Sequence, residues 1–280
     1  MRIGHCQIEV KAGDFEANLA KVVAFVDRAI KDRIEIVCFP ECGLTGYHDT
    51  EEAARKGAFN IDSPQMMKVL DRTMKYDAVV IVGFNELRGK DLFNTSAVLY
   101  KGHLLGHYSK CTAYMPFHKQ GREFPIFEHK GVKFGVIICS DGGYIEPARI
   151  LALKGAQIIF APHYNYINKE GLLGHYRHVR ADHTARAVEN HVYFVRGNNV
   201  VKGRDAGIAK SDGVGYGDSY IVDPAGQFVV FSKLHQEDLI FADVDPPAPD
   251  KAWGLGKSLW SAREFGGILA EVVKERLRKQ

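Results

Sequence analysis

No stretch of this 280-residue chain approaches the length and apolarity of a membrane-spanning helix, so no helical span is expected. Nor does it open on a charged leader with an apolar core: Met1 leads directly into the strand-like run Ile3–Ile8. Cysteine is scarce and odd in number. The five thiols are scattered, mostly inside apolar runs, which argues against a disulfide framework and for a reducing, cytoplasmic setting. Cys38 and Cys42 lie four apart, but no second Cys or His pair follows at finger-like spacing, so no metal is expected there. Net charge is also slight, formally +3. Its one basic cluster, Lys274, Arg276, Arg278 and Lys279, suits the solvated end of a helix. Aromatic-interleaved basic stripes are missing, which excludes nucleic acid as an expected partner. There is no low-complexity tract and no repeat of solenoid period.

What the chain does have is apolar substance, 46% of its residues, enough for one large core. Strand-length apolar runs at Ala78–Phe84, Ser96–Tyr100, Phe134–Cys139, Gln157–Ala161, Val192–Arg196 and Ser219–Val222 alternate with helical spacing. Leu19, Val22, Val26 and Ile30 mark one buried helix face, with Asp14 placed to cap its start. Ser63-Pro64 reads as a cap followed by proline in a first turn. The alternation predicts an α/β fold whose sheets are covered on both faces. We expect one domain over residues 1–245. A break at Pro246-Pro247-Ala248-Pro249 then opens a tail, 246–280, ending in a helix from about Phe265 to Lys279.

Three polar residues end apolar runs. Cys139 follows Phe134–Ile138 and precedes Ser140-Asp141-Gly142-Gly143, a sequence able to turn sharply and present the sulfur near backbone N–H groups. Taken alone, a free cysteine is more often a small core hydrophobe. Glu41 ends Ile36-Val37-Cys38-Phe39-Pro40, where proline suits a strand's end, and from there it could accept a proton. Lys110 follows the strand-like Leu104–His107 within Tyr108-Ser109-Lys110. A lone Glu or Lys is usually a surface charge, but three such residues at three run ends suggest one site.

The segments FPE at 39–41, YSK at 108–110 and GVIICSD at 135–141 resemble the glutamate, lysine and cysteine motifs of the nitrilase superfamily of carbon–nitrogen hydrolases. The resemblance extends over FNTSAVLY at 93–100, EPARILALKGAQIIFAP at 146–162, ARAVENHVYFVRGN at 185–198 and GDSYIVDPAGQ at 217–227. It implies a four-layer α-β-β-α sandwich, with two subunits joined through helices near the nucleophile, one of them at Glu146–Leu153, and no cofactor. It implies that Cys139 is the nucleophile, Glu41 its general base, and that Lys110 with the backbone N–H of Ser140 forms the oxyanion hole. Tails in such proteins often reach a neighbouring subunit, though this one lacks their usual arginine-proline-tyrosine ending.

One departure stands out. Many members carry a second glutamate some seven residues past the lysine, whereas here Cys111–His118 holds no carboxylate; with the downstream Gly121 as the anchor Tyr114 lies nearest the usual position, and Glu123, the nearest acid, lies beyond that anchor. Tyr47, Tyr114, His163, Tyr164 and Asn165 are the expected pocket-lining residues, being on loops at strand ends. Cys139-Ser140-Asp141 is similar to the amidase and carbamoylase branches, where true nitrilases more often show Cys-Trp-Glu. The expected activity is therefore hydrolysis of a small linear amide or N-carbamoyl compound. The alternatives are a nitrilase, a non-catalytic ligand-binding or scaffold member, and an acyltransferase. The expected assembly is a homodimer or higher homo-oligomer.

Overall fold

The computed structural model of the protein describes residues 1–201, 208, 213–247 and 266–277. Two six-stranded sheets dominate it. The first runs β14-β1-β2-β3-β4-β5 and is built from β1 (Arg2–Gln7), β2 (Ile36–Cys38), β3 (Val79–Arg88), β4 (Asp91–Tyr100), β5 (His103–Ser109) and β14 (Asp238–Asp243). The second runs β13-β12-β10-β8-β7-β6 and comprises β6 (Phe127–His129), β7 (Val132–Val136), β8 (Ile158–Pro162), β10 (Tyr193–Gly197), β12 (Tyr220–Val222) and β13 (Phe228–Phe231). A two-stranded ribbon pairs β9 (Ile167–Asn168) with β11 (Gly213–Val214).

The layers follow from period-two alternation. Ile36 and Cys38, Val79 and Ile81, Phe134 and Val136, and Ile158 and Phe160 share one cluster, the core between the sheets. Their neighbours face outward. Val37, Val80 and Val82 pack with Leu19, Val22 and Val26 of α1 (Phe15–Lys31) and Met66 and Val69 of α3 (Pro64–Thr73). Ile159 and Ala161 pack with Ala148 and Leu151 of α4 (Ile145–Leu153) and Ala187 of α5 (Leu172–Asn190). Helix, sheet, sheet, helix is the expected four-layer sandwich. Both expected caps form: Asp14 Oδ1 accepts from Ala17 N at 3.0 Å and Ser63 Oγ from Met66 N at 3.2 Å. A short α2 (Glu51–Gly57) sits between β2 and α3, and a helix at residues 266–277 carries only exposed side chains.

Two boundaries differ from expectation. β3 and β4 run on to Arg88 and back to Asp91, joined through Gly89, whose φ is +58°. The polar tips of that hairpin leave no apolar run to read. β7 stops at Val136, earlier than the apolar run suggested, and Cys139 opens a 3₁₀ turn, Cys139–Gly143, rather than ending the strand.

Strand direction places the site. β1, β2 and β3 are parallel, and β4 and β5 reverse twice, so β5 leaves the sheet at the same rim as β2. In the second sheet β7, β8 and β10 are parallel. The loops after β2, β5, β7 and β8 therefore carry Glu41, Lys110, Cys139 and His163, the carboxyl-end arrangement where α/β sheets bind ligands.

Candidate active site

Close approach of backbone fixes the first two residues. The turn after β2 lies against Gly83 of β3, where a Cβ would come within 2.6 Å of Cys42 N. That contact sets Glu41 at the rim, fully buried. Lys110 is pinned on both sides: its N–H donates to Asn94 O at 2.8 Å and its carbonyl accepts from Gly121 N at 2.8 Å. A Cβ on Gly121 would sit 2.0 Å from Ser109 O, so the loop can return here only with glycine.

Lys110 Nζ donates to Glu41 Oε1 at 2.6 Å, with both side chains sealed from solvent. Asn94 Nδ2 donates to the same oxygen at 2.7 Å, and Tyr164 N donates to Oε2 at 2.8 Å. Burial alone would lower Lys110, but the Glu41 carboxylate, with smaller help from Cys139, Tyr47 and Asp141, holds it well above its ordinary value. The ammonium is thus firmly charged. An ion pair this deep is a poor stabiliser, since desolvation of both partners offsets most of the attraction.

Cys139 has φ +48°, a left-handed conformation that costs a side-chain-bearing residue on the order of 1–2 kcal/mol. The turn that imposes it presents the sulfur at the start of a 3₁₀ segment. Ser140's N–H lies in that first turn, where helical geometry supplies no carbonyl partner. Burial, then the neighbouring Glu41 charge, push the Cys139 thiol up to about 12, against a smaller pull downward from Lys110. It is a thiol at neutral pH and needs a base to react. Asn165 Nδ2 reaches its sulfur at 3.5 Å.

Asp141 ties the nucleophile turn to the lysine loop. Its Oδ2 accepts from Tyr108 OH at 2.7 Å and Ile138 N at 2.9 Å. Its Oδ1 accepts from Thr112 N at 2.8 Å, Thr112 Oγ1 at 2.5 Å and Cys111 Sγ at 3.3 Å. Five donors converge on one carboxylate, bridging β5 of one sheet to the loop after β7 of the other.

A cavity of about 720 Å³ opens over Cys139 and Ser140, bounded by Tyr114, His163, Asn165 and the first half of α5. Among the expected lining residues, Tyr47 and Tyr164 instead stack on each other at 5.3 Å and belong to the core beside the site. Tyr114 stands at the mouth, 74% exposed. His163 is buried with Nδ1 2.7 Å from Ala161 O, which only an N–H can satisfy. Burial, then Arg196, hold His163 well below its ordinary value, so it is neutral and its Nε2 is an acceptor. Glu123 is not brought to Cys139: it is exposed and borders a separate cavity with Glu86 and Arg88. His118 turns inward instead, Nε2 3.0 Å from Asn85 Oδ1.

These placements agree with the chain's kinship. The family model for carbon–nitrogen hydrolases matches residues 2–249. The chain belongs to that family. It is 27% identical over 253 residues to a glutamine-dependent NAD(+) synthetase of Aquifex aeolicus, covering 85% of this chain but only 41% of that protein. Of the first such relatives it therefore spans about two fifths of the length. It is 28% identical to a citrullinase of Francisella tularensis, covering 85% of this chain and 87% of that one. In structure it resembles a carbon–nitrogen hydrolase from Helicobacter pylori, with TM-score 0.79, 20% identity and 94% coverage of both chains.

Several residues of the site escaped the motif reading. Asn94 lies in FNTSAVLY, where an asparagine interrupting a strand was the available signal. Arg196 is fully buried beneath the pocket, its guanidinium donating to Asn165 Oδ1 at 2.7 Å and Tyr216 OH at 2.9 Å. His175, His178 and Asp182 come from α5, which has no clear apolar face to announce it.

Proposed function

We propose that this protein hydrolyses the carbon–nitrogen bond of a small linear amide or N-carbamoyl compound through a thioester on Cys139. The observation that carries the proposal is the Lys110–Glu41 pair buried beside a thiol held at positive φ on the floor of an open cavity. Two charges taken out of water cost stability, and their use is to move a proton and to stabilise an anion.

In this scheme Glu41 takes the Cys139 proton as sulfur attacks the carbonyl carbon. Negative charge develops on the carbonyl oxygen, facing Lys110 Nζ and the Ser140 N–H. Losing one such donor typically costs on the order of a hundred- to thousandfold in rate. The protonated Glu41 then gives its proton to the departing nitrogen, which leaves as ammonia or an amine. Glu41, again a carboxylate, draws a proton from water attacking the thioester, and the acid departs as sulfur recovers its proton. Asn94 and the Tyr164 N–H hold both carboxylate oxygens, orienting the base throughout. In this scheme the neutral Nε2 of His163, in the cavity lining, accepts an N–H of the substrate. The citrullinase relative supports including carbamoyl compounds in the class.

A homodimer fits the same picture. Ile145 and Leu153 of α4 and Val188 of α5 are exposed on the two helices that pack against the Cys139 turn, and Ile268, Leu269, Val272 and Val273 of the last helix are exposed as well. Five free thiols suit a reducing compartment. Among the described residues no helix is long and apolar enough to cross a membrane.

Released ammonia from a panel of amides, N-carbamoyl compounds and the matching nitriles tests the reaction. Acid should form from at least one amide or carbamoyl compound, with an acyl adduct on intact mass that disappears in Cys139→Ala. Acid from nitriles alone would make it a nitrilase. Amide bound without adduct or turnover would make it a scaffold.

A further inference from the structure

A fully buried guanidinium lies under the site, and among the described residues no carboxylate pairs with it. Arg196 follows Phe194 by two residues on β10 and so shares its helix-facing side. Asp218 turns its carboxylate to Arg180, whose Nε donates to Oδ2 at 3.1 Å, and offers Arg196 only its backbone carbonyl. Arg196 Nη1 donates to that carbonyl and to Gly217 O at 3.0 Å. The imidazoles around it, His163, His175 and His183, are held below their ordinary value by burial first and then by Arg196 itself, so they are neutral. An unpaired charge at this depth costs stability.

What the guanidinium does is fix one amide. Arg196 Nη2 donates to Asn165 Oδ1 at 2.7 Å, and Tyr216 OH stands 3.4 Å from the same oxygen and 2.9 Å from Nη2. Tyr216 OH also lies 2.9 Å from Nδ1 of His175, on the α5 wall of the outer pocket. A guanidinium carries donors only, so the amide cannot present its NH₂ to Arg196. The oxygen is locked beneath, and Nδ2 is left facing Cys139 Sγ at 3.5 Å. The backbone of Asn165 is held as well: its N–H donates to Asn198 Oδ1 at 2.8 Å and its carbonyl accepts from Asn199 Nδ2 at 3.4 Å. With the flip forbidden, the sulfur always meets an N–H. Such a donor favours a thiolate over a thiol, because a hydrogen bond to a charged partner is roughly twice as strong as one between neutral groups.

We infer that Asn165 is a further catalytic residue, donating to the Cys139 sulfur as it gives up its proton, and that Arg196 is the positioning residue that keeps the amide's donor, not its oxygen, turned that way. The inference rests on the nucleophilic role proposed above for Cys139. In that step the S–H bond breaks, the proton passes to Glu41, and the charge left on sulfur is met by the N–H that stays on Asn165.

Asn165→Asp separates structure from chemistry. A carboxylate supplies the counter-charge that Arg196 lacks, so Tm should be no lower than the parent's, yet it puts an acceptor where the sulfur had a donor. Alkylation by iodoacetamide, a neutral reagent, is read at Cys139 by peptide mass near neutral pH. It should slow about tenfold, the effect of about one unit in the thiol's pKa, and kcat/KM for an amide should fall at least as far. Cys111, the other thiol that is not fully buried, should react at an unchanged rate in the same samples. Arg196→Met frees the amide to turn and should slow Cys139 as much as Asn165→Ala does, with the two together slowing it no more than either alone. Where Arg196→Met does not fold, Arg196→Gln, whose amide can face Asn165 with either group, makes the same comparison. A Cys139 rate within about twofold of the parent's in Asn165→Asp overturns the inference, as does a lowered Tm in that variant. Multiplying effects of the Arg196 and Asn165 substitutions overturn the positioning role. Alkylation needs no substrate, so the two readings fail separately. A tenfold loss in a protein that hydrolyses no amide keeps the donor and removes the reaction, whereas normal turnover of an amide by Asn165→Asp removes the donor alone.

Discussion

Replacing Asp141 by asparagine changes almost no volume, yet the geometry around it predicts a large effect. Every group in contact with its two oxygens is a donor, and two of those donors are backbone N–H groups, Ile138 on Oδ2 and Thr112 on Oδ1. An amide offers one oxygen and one NH₂. Whichever way it is turned, one backbone N–H must face another donor in a site where the side chain is fully buried. An orphaned buried donor costs about 1–3 kcal/mol, and the bonds that survive lose their charge assistance, so the total should be about 3 kcal/mol. The damage lies between Lys110 and Cys139, where a displacement of about 1 Å can cost on the order of a hundredfold in rate. Urea unfolding and kcat/KM on the same protein measure both. Tyr108→Phe, which removes one donor and orphans none, should cost about 1 kcal/mol and little activity. An Asp141→Asn protein within 1 kcal/mol of the parent and within threefold of its activity would refute this account.

Two further outcomes are expected. Burial first, and then the Lys110 charge, hold His118 down to about 4 against an ordinary 6.5. Between those pH values the unfolded chain binds a proton that the folded chain refuses, so stability falls as pH drops from 6.5 toward 4 and levels below it. His118→Gln should lessen that slope by up to one proton in urea titrations at several pH values; an unchanged slope counts against it. Gly121→Ala forces a methyl into Ser109 O and should lower Tm by several degrees and cut activity by tenfold or more, as thermal unfolding and ammonia release would show. A protein of parental Tm would mean that the loop does not need that close approach.

How much of this could be read beforehand differs by residue. Ile36–Cys38 and Val79–Val82 are apolar at every position, which predicted sheets covered on both faces, while only the structure showed that Ile36, Cys38, Val79 and Ile81 lie between the sheets and Val37, Val80 and Val82 lie under helices. Glu41, Lys110 and Cys139 were visible because each ends such a run. Asn94 and Asp141 were not readable as anchors: Glu41 lies 53 residues from Asn94, and Tyr108, Cys111 and Thr112 lie 29 to 33 residues from Asp141, so only strand pairing and sheet packing bring them together. Tyr47 and Tyr164 show the opposite limit. Loop position suggested that they line the pocket, but two large rings gain more by stacking and burial than by facing solvent. Helix α5 was the least legible. Its seam with the 3₁₀ turn is made by His183, Arg186 and other polar groups, so no apolar stripe betrays the wall that faces the outer pocket.

The order in which the strands join has a consequence during synthesis. Sheet one begins with β1 and is closed only by β14, more than two hundred residues later, when Arg2 pairs with Asp243. A ribosome-bound chain thus holds Glu41 and Lys110 early, Cys139 later, and a finished edge beside β1 last of all. A nascent polypeptide halted before Asp238 would leave the hydrogen-bonding groups along that side of β1 bare, open to any passing strand, so that edge is protected from aggregation only once β14 has been made.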